Sequence, residues 1–249
     1  MFSNPVGGPL SFVNQSVKPM LAKKLIKNTK YRTGHIMGQH ELLFQLLPFS
    51  EKNKWKKISP DKDICIEGFP RSANSFFAKA FRRCNPTAKA AHHMHSPLQI
   101  LKAIEYGIPC VVLIRNPTDA IASVLVVDRT LSTRFAIQSY INFYERIWPV
   151  CHDVVVSEFS DTTQYPHHVV KRINQRYGTS FYMEPITPDV KETIFDQLQA
   201  TQKELNQPEH LVAIPTKAKA RIKQDVLKEL KDHPLLPTAN LLYQKFLAP

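Results

Sequence analysis

The stretch from Ile64 to Phe77 constrains the fold more than any other part of the chain. A short apolar run ends at Gly68, a proline-containing turn follows, and apolar residues then recur with helical spacing. This order predicts a β-strand, a tight turn and the N-terminus of an α-helix. Backbone N–H groups and the positive end of the helix dipole converge at such a turn, so the stretch predicts an anion-binding loop. An ordinary strand-to-helix turn is the alternative.

The turn matches the Walker A pattern of nucleotide triphosphatases, G-x-x-x-x-G-K-S/T, only in part. Gly68 matches the first glycine and Ser75 the final hydroxyl. Ala73 stands at the second glycine, Asn74 stands at the lysine, and the cation of the loop is Arg71. Because a triphosphatase needs the lysine on its β- and γ-phosphates, the pattern predicts a phosphate cradle without ATPase chemistry.

Strand-like and helix-like runs alternate along the rest of the chain. We predict strands over residues 63–68, 87–91, 109–114 and 154–156, and helices over 74–83, 131–148, 169–177, 191–205, 217–230 and 241–247, with two more after the second and third strands. This alternation is typical of an α/β fold with a central, mainly parallel sheet flanked by helices, a P-loop NTPase-like three-layer sandwich. Ligands in such folds bind beyond the carboxyl ends of the strands, so we expect the site in the loops that follow them.

We expect a single domain over residues 1–249. Its parts would be a helical and basic N-terminal segment over 1–60, a cofactor-binding core over 61–160 and C-terminal helices over 161–249. Within the first segment, residues 17–26 have the pattern of a basic amphipathic helix. Such a helix either lies on a membrane surface or packs on the main body.

The formal net charge of +12 indicates an anionic partner: nucleic acid, a membrane surface, or a phosphorylated or sulfated small molecule. Charge alone does not choose among these. The four cysteines form no C-x-x-C pair, which favours a reducing cytoplasm over a disulfide framework or a metal site. We expect a cytoplasmic protein without an integral membrane segment, because we find neither a long apolar run nor the pattern of a secretory signal.

A second anion-binding element is predicted after the third strand. Arg115 stands at the end of this strand, and Ser123 follows two turns into the next helix. Arginine offers a two-pronged donor to phosphate, and serine adds a short one. Two separate phosphate clamps suit a nucleotide that is phosphorylated at two different places, whereas a plain ATP site needs only one.

Two segments resemble the signatures of the sulfotransferase family that uses PAPS (3′-phosphoadenosine-5′-phosphosulfate). Residues 68–77, GFPRSANSFF, resemble the loop G-x-P-R/K-S-G-T/N-S/T, which grips the 5′-phosphosulfate. Residues 113–123, LIRNPTDAIAS, resemble R-D/N-P-x-D/E-x-x-x-S, whose Arg and Ser hold the 3′-phosphate. Between them, His95-Ser96-Pro97 resembles the H-x-P stretch, whose histidine is the usual catalytic base of the family. The resemblance covers residues 63–159 and fades on either side.

The resemblance also implies which residues hold the cofactor. Those that it assigns to PAPS or to the product PAP are Arg71, Ser72, Ala73, Asn74, Ser75, Phe76, Arg115 and Ser123, with Lys217 and Arg221 closing the site from the C-terminal side. For Lys217 and Arg221, a solvated face of a basic helix is the alternative. Ala73 departs from the family glycine, so its backbone must adopt a conformation open to a residue with a Cβ atom.

The implied reaction moves the sulfuryl group of PAPS to a hydroxyl, or to an amine or carbamoyl nitrogen, of a small-molecule acceptor in natural-product or small-metabolite modification. His95 would take the proton of the acceptor, with His93 as the rival base, and Arg71 would stabilise the developing charge. This chemistry requires no metal. A metal site formed by the crowded run of His92, His93 and His95 is the alternative.

Two other function classes stay open. A P-loop kinase of nucleotides or small molecules would need Mg²⁺ and the loop lysine that Asn74 replaces. A non-catalytic protein could bind PAP or a polyanion. RNA binders interleave basic patches with exposed aromatics, whereas the aromatics here lie in apolar helix runs, so we expect no nucleic-acid partner. The aromatic helix over 131–148 either lines the acceptor pocket or packs in the core. Acceptor identity and oligomeric state are not predicted.

Overall fold

The computed structural model describes residues 55–204 and 217–248, apart from the side chains of residues 202–204 and 217–220. The amphipathic helix predicted over 17–26, with most of the predicted N-terminal segment, lies outside the described residues. In the part that is described, no helix combines the length and the apolar character needed to cross a bilayer. The cytoplasmic location stays a prediction.

Strands and helices alternate along the described chain. The strands are β1 (Ile64–Gly68), β2 (Ala90–His92), β3 (Cys110–Ile114) and β4 (Val155–Glu158). The helices are α1 (Asn74–Cys84), α2 (Pro97–Glu105), α3 (Pro117–Val127), α4 (Thr133–Ile147), α5 (Phe159–Gln164), α6 (Pro166–Tyr177), α7 (Pro188–Glu204), α8 (Lys217–Lys231) and α9 (Leu236–Leu247), with a 3₁₀-helix, Trp148–Asp153, after α4.

The four described strands form one parallel sheet in the order β2-β1-β3-β4. Every residue of β1 and β3 is buried, which explains why both strands are apolar along nearly their whole length rather than alternating with polar residues. Helices cover both faces of this sheet, so the predicted α/β three-layer fold is confirmed. Kinship with P-loop NTPases stays a prediction.

Side chains that alternate along the strands enter two separate cores. On one face of the sheet, Cys65 and Val112 pack with α2, α3, α4, α8 and α9. On the other face, Ile66 and Leu113 pack with α1, α6 and α7. The chain leaves β1 for β2 and then returns to β3 on the opposite side of β1. A topological switch point therefore lies between the carboxyl ends of β1 and β3, where ligands bind in folds of this class.

Polar caps and prolines set the helix starts beyond β2 and β3. The side chain of Ser96 accepts a hydrogen bond of 3.2 Å from the backbone N–H of Leu98, and Pro97 is the first residue of α2. Asn116 caps α3 in the same way, and that helix also begins with a proline. Both helix starts were predictable because a small polar cap followed by proline is a strong N-terminal signal.

The observed elements differ from the predictions at several places. Helices α6, α7 and α9 begin at Pro166, Pro188 and Leu236 rather than at 169, 191 and 241, and β4 ends at Glu158 rather than at 156. β2 spans Ala90–His92 rather than 87–91. The helix predicted over 131–148 is α4, and it gives way to the 3₁₀-helix because Pro149 has no N–H to continue the α-helical pattern. Helix α5 has no counterpart among the predicted helices. It starts where the side chain of Glu158 accepts a hydrogen bond of 2.5 Å from the N–H of Ser160.

Candidate functional site

Gly68, the last residue of β1, lets the loop after this strand lie directly against β3. A Cβ atom at this position would lie 2.2 Å from the backbone oxygen of Leu113, far inside van der Waals contact. The obstacle is backbone, which cannot move aside as a flexible side chain would. Glycine is therefore required here by close packing of the two strands.

The loop between β1 and α1 contains two left-handed residues that are not glycine. Arg71 has φ 72° and Ala73 has φ 69°. The expected conformation open to a residue with a Cβ atom is not the one observed, because Ala73 lies in the left-handed region, which costs a residue other than glycine about 1–2 kcal/mol. Ala73 is also the N-cap of α1 and supplies no side-chain acceptor. The first N–H groups of α1 thus keep their capacity to bind an anion.

The side chain of Asn74 stabilises this loop through a buried hydrogen bond. Its side chain is buried, and its Nδ2 donates a hydrogen bond of 3.0 Å to the backbone oxygen of Phe69. Ser72 is likewise buried, and the buried ring of Phe76 lies 5.7 Å from that of Phe195. Three of the predicted cofactor residues, Ser72, Asn74 and Phe76, are thus buried in the fold, so only their backbone is placed to meet a ligand if one binds here.

The two predicted anion-binding elements meet at the switch point. The Nε of Arg71 donates a hydrogen bond of 2.9 Å to the Oγ of Ser123 on α3. The Nη1 of Arg115 donates one of 3.1 Å to the backbone oxygen of Arg71. Arg115 also lies over the ring of Phe159, with its Cζ 4.1 Å from the ring centroid. The three residues predicted from two separate motifs therefore share one contact network.

This network carries an excess of positive charge. Burial lowers the pKa of Arg71, and the charge of Arg115 lowers it further. Neither guanidinium forms an ion pair with a carboxylate in residues 55–204 and 217–248. The nearby Asp119 instead pairs with Lys223 of α8, at 2.8 Å. Burial also lowers the pKa of Arg115, although the charges of Asp119 and Glu158 oppose this from beyond ion-pair distance. Two half-buried arginines that no described carboxylate pairs directly favour an anionic ligand between them.

His95 is positioned beside the first loop as a proton acceptor. Its Nδ1 lies 2.9 Å from the backbone oxygen of Gly68, which can only accept a hydrogen bond. Nδ1 is therefore assigned the ring proton, and Nε2 keeps its lone pair. Burial, with smaller contributions from Arg71 and Lys56, lowers the pKa of His95 to about 4, although the bond to Gly68 opposes this. The ring is thus neutral near pH 7, as a general base must be.

Glu67, a residue that the sequence reasoning missed, holds the histidine loop in place. This carboxyl group is completely buried, and its two oxygens accept hydrogen bonds from the backbone N–H groups of Met94, at 2.7 Å, and His95, at 2.9 Å. The loop needs such support because His93 and His95 have φ values of 73° and 51°. Burial raises the pKa of Glu67 to about 8. The sequence feature that could have indicated this role is a single acidic residue inside an otherwise apolar strand.

The rival base, His93, is exposed. Its Nδ1 lies 3.5 Å from the Oγ of Ser75, and its ring centroid lies 5.0 Å from that of His95. The described residues hold no group of three or more His, Cys, Asp or Glu side chains arranged to bind a metal. His93 and His95 thus stay the two candidates for the base.

Other predicted residues lie at the edge of the site or outside the described residues. The side chain of Lys217 lies outside them, and Arg221 is exposed on α8. On α4, the phenol of Tyr140 donates a hydrogen bond of 2.8 Å to the backbone oxygen of Arg115, and that of Tyr144 donates one of 2.8 Å to that of Leu113. Both phenols are buried, so these aromatics pack in the core and fix the end of β3.

No family model matches the chain, and no curated protein matches it either.

Proposed function

We propose that this protein is a sulfotransferase that moves the sulfuryl group of PAPS to a hydroxyl or nitrogen of a small-molecule acceptor and releases PAP. The observation that carries the proposal is the hydrogen bond from Arg71 to Ser123, together with the bond from Arg115 to the backbone of Arg71. These contacts bring the two predicted anion-binding elements together at the switch point. A nucleotide with a phosphate on its ribose and a second anionic group at its 5′ end needs both elements at once.

The chemistry of the donor set fits such a nucleotide. The N–H groups at the start of α1 and the guanidinium of Arg71 suit the 5′ end, while Arg115 and Ser123 suit the 3′-phosphate. In the described structure, Arg71 and Ser123 satisfy each other. Binding of the nucleotide would replace this bond by bonds to the phosphates, a switch that needs only side-chain movement.

His95 would supply the proton transfer. Its Nε2 takes the proton of the acceptor as the new bond to sulfur forms and the bond from sulfur to the bridging oxygen breaks. The electron pair of the broken bond stays on the phosphate of PAP, where Arg71 and the loop N–H groups stabilise the charge. Glu67 contributes by holding the backbone of His95.

The alternatives are less well supported by particular contacts. A P-loop kinase needs a cation where Asn74 stands, and the amide of Asn74 is already engaged by the backbone of Phe69. A non-catalytic PAP-binding protein would not need the buried carboxylate that holds His95 with a free Nε2.

A panel of ligands and a transfer assay would test the proposal. We expect PAP to raise the unfolding temperature, since a ligand at about 100 times its Kd stabilises the folded state by about 2.7 kcal/mol. ATP with Mg²⁺ and short RNA are expected to raise it less. Transfer of radiolabelled sulfate from PAPS to a mixture of phenols, alcohols and amines would then separate an enzyme from a non-catalytic PAP binder. Stabilisation by ATP with Mg²⁺ alone would contradict the proposal.

A further inference from the structure

An aromatic and cationic cluster lies beside the histidine loop, outside the contact network of Arg71, Arg115 and Ser123. It consists of Trp55, Lys56, Arg82 and His92 and is called here the Trp55 cluster. The ring centroids of Trp55 and His92 are 4.7 Å apart. The Cζ of Arg82 lies 4.9 Å from the centroid of the Trp55 ring, and the Nζ of Lys56 lies 5.4 Å from it. One indole ring thus contacts an imidazole and two cations.

A short chain of ring contacts connects this cluster to the proposed base. The ring of His92 lies 6.2 Å from that of His93, which lies 5.0 Å from that of His95. The positive charge of Lys56 contributes to lowering the pKa of His95, after burial and Arg71. Ring contacts of 4.7, 6.2 and 5.0 Å therefore connect Trp55 to His95 through His92 and His93.

The two cations of the cluster have no acidic partner among residues 55–204 and 217–248. Neither Lys56 nor Arg82 forms an ion pair with any carboxylate of the described residues. Burial alone lowers the pKa of both groups. The next residue along the helix behaves differently, since Arg83 lies 3.7 Å from the carboxylate of Glu184. Partly desolvated cations without counter-charge favour a bound anion.

His92 adds an independent indication of a binding site. The residue is only 8% exposed, and neither of its ring nitrogens has a hydrogen-bond partner in the described part of the chain. A buried polar atom left without a partner costs about 1–3 kcal/mol, so native structures rarely tolerate two on one ring. Burial, then the charge of Arg82, lowers the pKa of His92 to about 2, so the ring is neutral and offers one donor and one acceptor.

We infer that the Trp55 cluster binds an anionic group of the acceptor, and that the acceptor is a planar molecule with both a hydroxyl or amine and a carboxylate, sulfonate, sulfate or phosphate. A planar ring stacks on Trp55, and its anionic substituent pairs with Arg82 and Lys56. The hydroxyl or amine then points toward His95. The identity of this molecule as the sulfuryl acceptor rests on the proposed function, whereas the binding of a planar anion by the Trp55 cluster does not.

The fluorescence of Trp55 offers a direct measure of this binding. The chain contains two tryptophans, so Trp148→Phe leaves Trp55 as the only one. Two acids, 4-hydroxyphenylacetate and 4-hydroxybenzenesulfonate, are titrated in this background beside their uncharged amides, 4-hydroxyphenylacetamide and 4-hydroxybenzenesulfonamide. We expect at least one acid to quench Trp55 and to bind about tenfold tighter than its amide, the value of one charged hydrogen bond.

Two variants and a matched control assign the preference to the cluster. Arg82→Gln and Lys56→Gln should each reduce the ratio of amide Kd to acid Kd by about threefold to tenfold, whereas Arg83→Gln should leave it unchanged. Equal binding of acids and amides to the Trp148→Phe protein, or the absence of binding by all four probes, would overturn the inference. So would an acid preference that survives both variants.

The same titration separates this inference from the proposed function. If PAP stabilises the protein but the acids show no preference, the Trp55 cluster does not select anions and the sulfotransferase proposal stands. If the acids bind with the expected preference but PAP has no effect, the anion site stands and the donor assignment fails. A gain in sulfate transfer to the acids over the amides would support both.

Discussion

The Nε of Arg71 donates a hydrogen bond of 2.9 Å to the Oγ of Ser123, although 52 positions separate the two residues in sequence. Arg71 comes from the loop after β1, and Ser123 lies on the helix that follows β3. Because these strands are neighbours and parallel, their carboxyl ends meet at the switch point. The bond shows that the two motifs form one surface.

Ser123→Ala is expected to weaken PAP binding about tenfold. The substitution removes the hydroxyl that we propose as a donor to the 3′-phosphate, and it frees Arg71 from its present partner. The fold should persist, because Ser123 is half-buried on a helix and alanine is the best helix former. Isothermal titration with PAP measures the change. Ser180→Ala, at an exposed loop position, serves as the control, and equal PAP affinity in both variants would exclude Ser123 from the site.

Gly68→Ala should destabilise the fold by about 3 kcal/mol, the upper range for overpacking. The reason is the 2.2 Å approach of the new Cβ atom to the backbone of Leu113. Gly107→Ala is the matched control, since Gly107 has φ +65° but no atom within 4 Å of a Cβ atom. That change should cost only about 1 kcal/mol. Urea unfolding compares the two, and a Gly68 variant as stable as the Gly107 variant would refute the close-packing account.

His95→Ala should reduce kcat by about 10²–10⁴-fold while the Kd for PAP stays the same. In the wild type, kcat/KM should stay level as the pH falls to about 6 and should decline only toward the lowered pKa of about 4, because protonation of Nε2 removes the base. Steady-state rates across pH, with circular dichroism as a check on folding, provide the measurement. Full activity of His95→Ala, combined with loss of activity in His93→Ala, would transfer the role to His93.

Glu67→Gln should change how stability depends on pH. The pKa of Glu67 rises from 4.5 to about 8 on folding, so the folded state binds this proton more tightly than the unfolded state. The contribution of Glu67 is therefore full below about pH 4.5 and is lost as the pH rises through about 8. The lowered pKa values of His92 and His95 act in the opposite sense, since they remove stability as the pH falls below about 6.5.

The difference in unfolding free energy between wild type and Glu67→Gln isolates this group. We expect the unfolding free energy of the wild type to decrease relative to that of Glu67→Gln as the pH rises from about 4.5 to about 8. Gln offers an oxygen acceptor to only one of the two N–H groups of Met94 and His95, so kcat should fall while PAP affinity holds. A difference that stays constant with pH would show that Glu67 is charged in the folded state throughout.

Local signals made most of the fold predictable. The apolar run of β3, the Ser96-Pro97 start of α2 and the Gly178 end of α6 each depend on residues that are adjacent in sequence. The second strand was less readable, because it has only three residues and lies at the edge of the described sheet. Pairing with a neighbouring strand decides where a short edge strand begins and ends, and the local sequence does not indicate that pairing.

The site was predictable only where a motif carried it. Arg71, Arg115 and Ser123 lie in two recognisable motifs, and the structure brings them together. The buried role of Glu67 depends on backbone N–H groups 27 and 28 positions away, and local patterns carry no such information. The contact of Trp55 with His92 is likewise long-range.

Titration of the protein with PAP, adenosine 5′-monophosphate and adenosine 3′-monophosphate tests the central claim most directly. The account predicts 1:1 binding of PAP at least tenfold tighter than either monophosphate, because the two arginine-bearing elements each hold one phosphate. Arg71→Ala and Arg115→Ala should each bring the affinity for PAP down toward that for a monophosphate. Equal affinity for PAP and adenosine 5′-monophosphate, unaffected by Arg115→Ala, would contradict it.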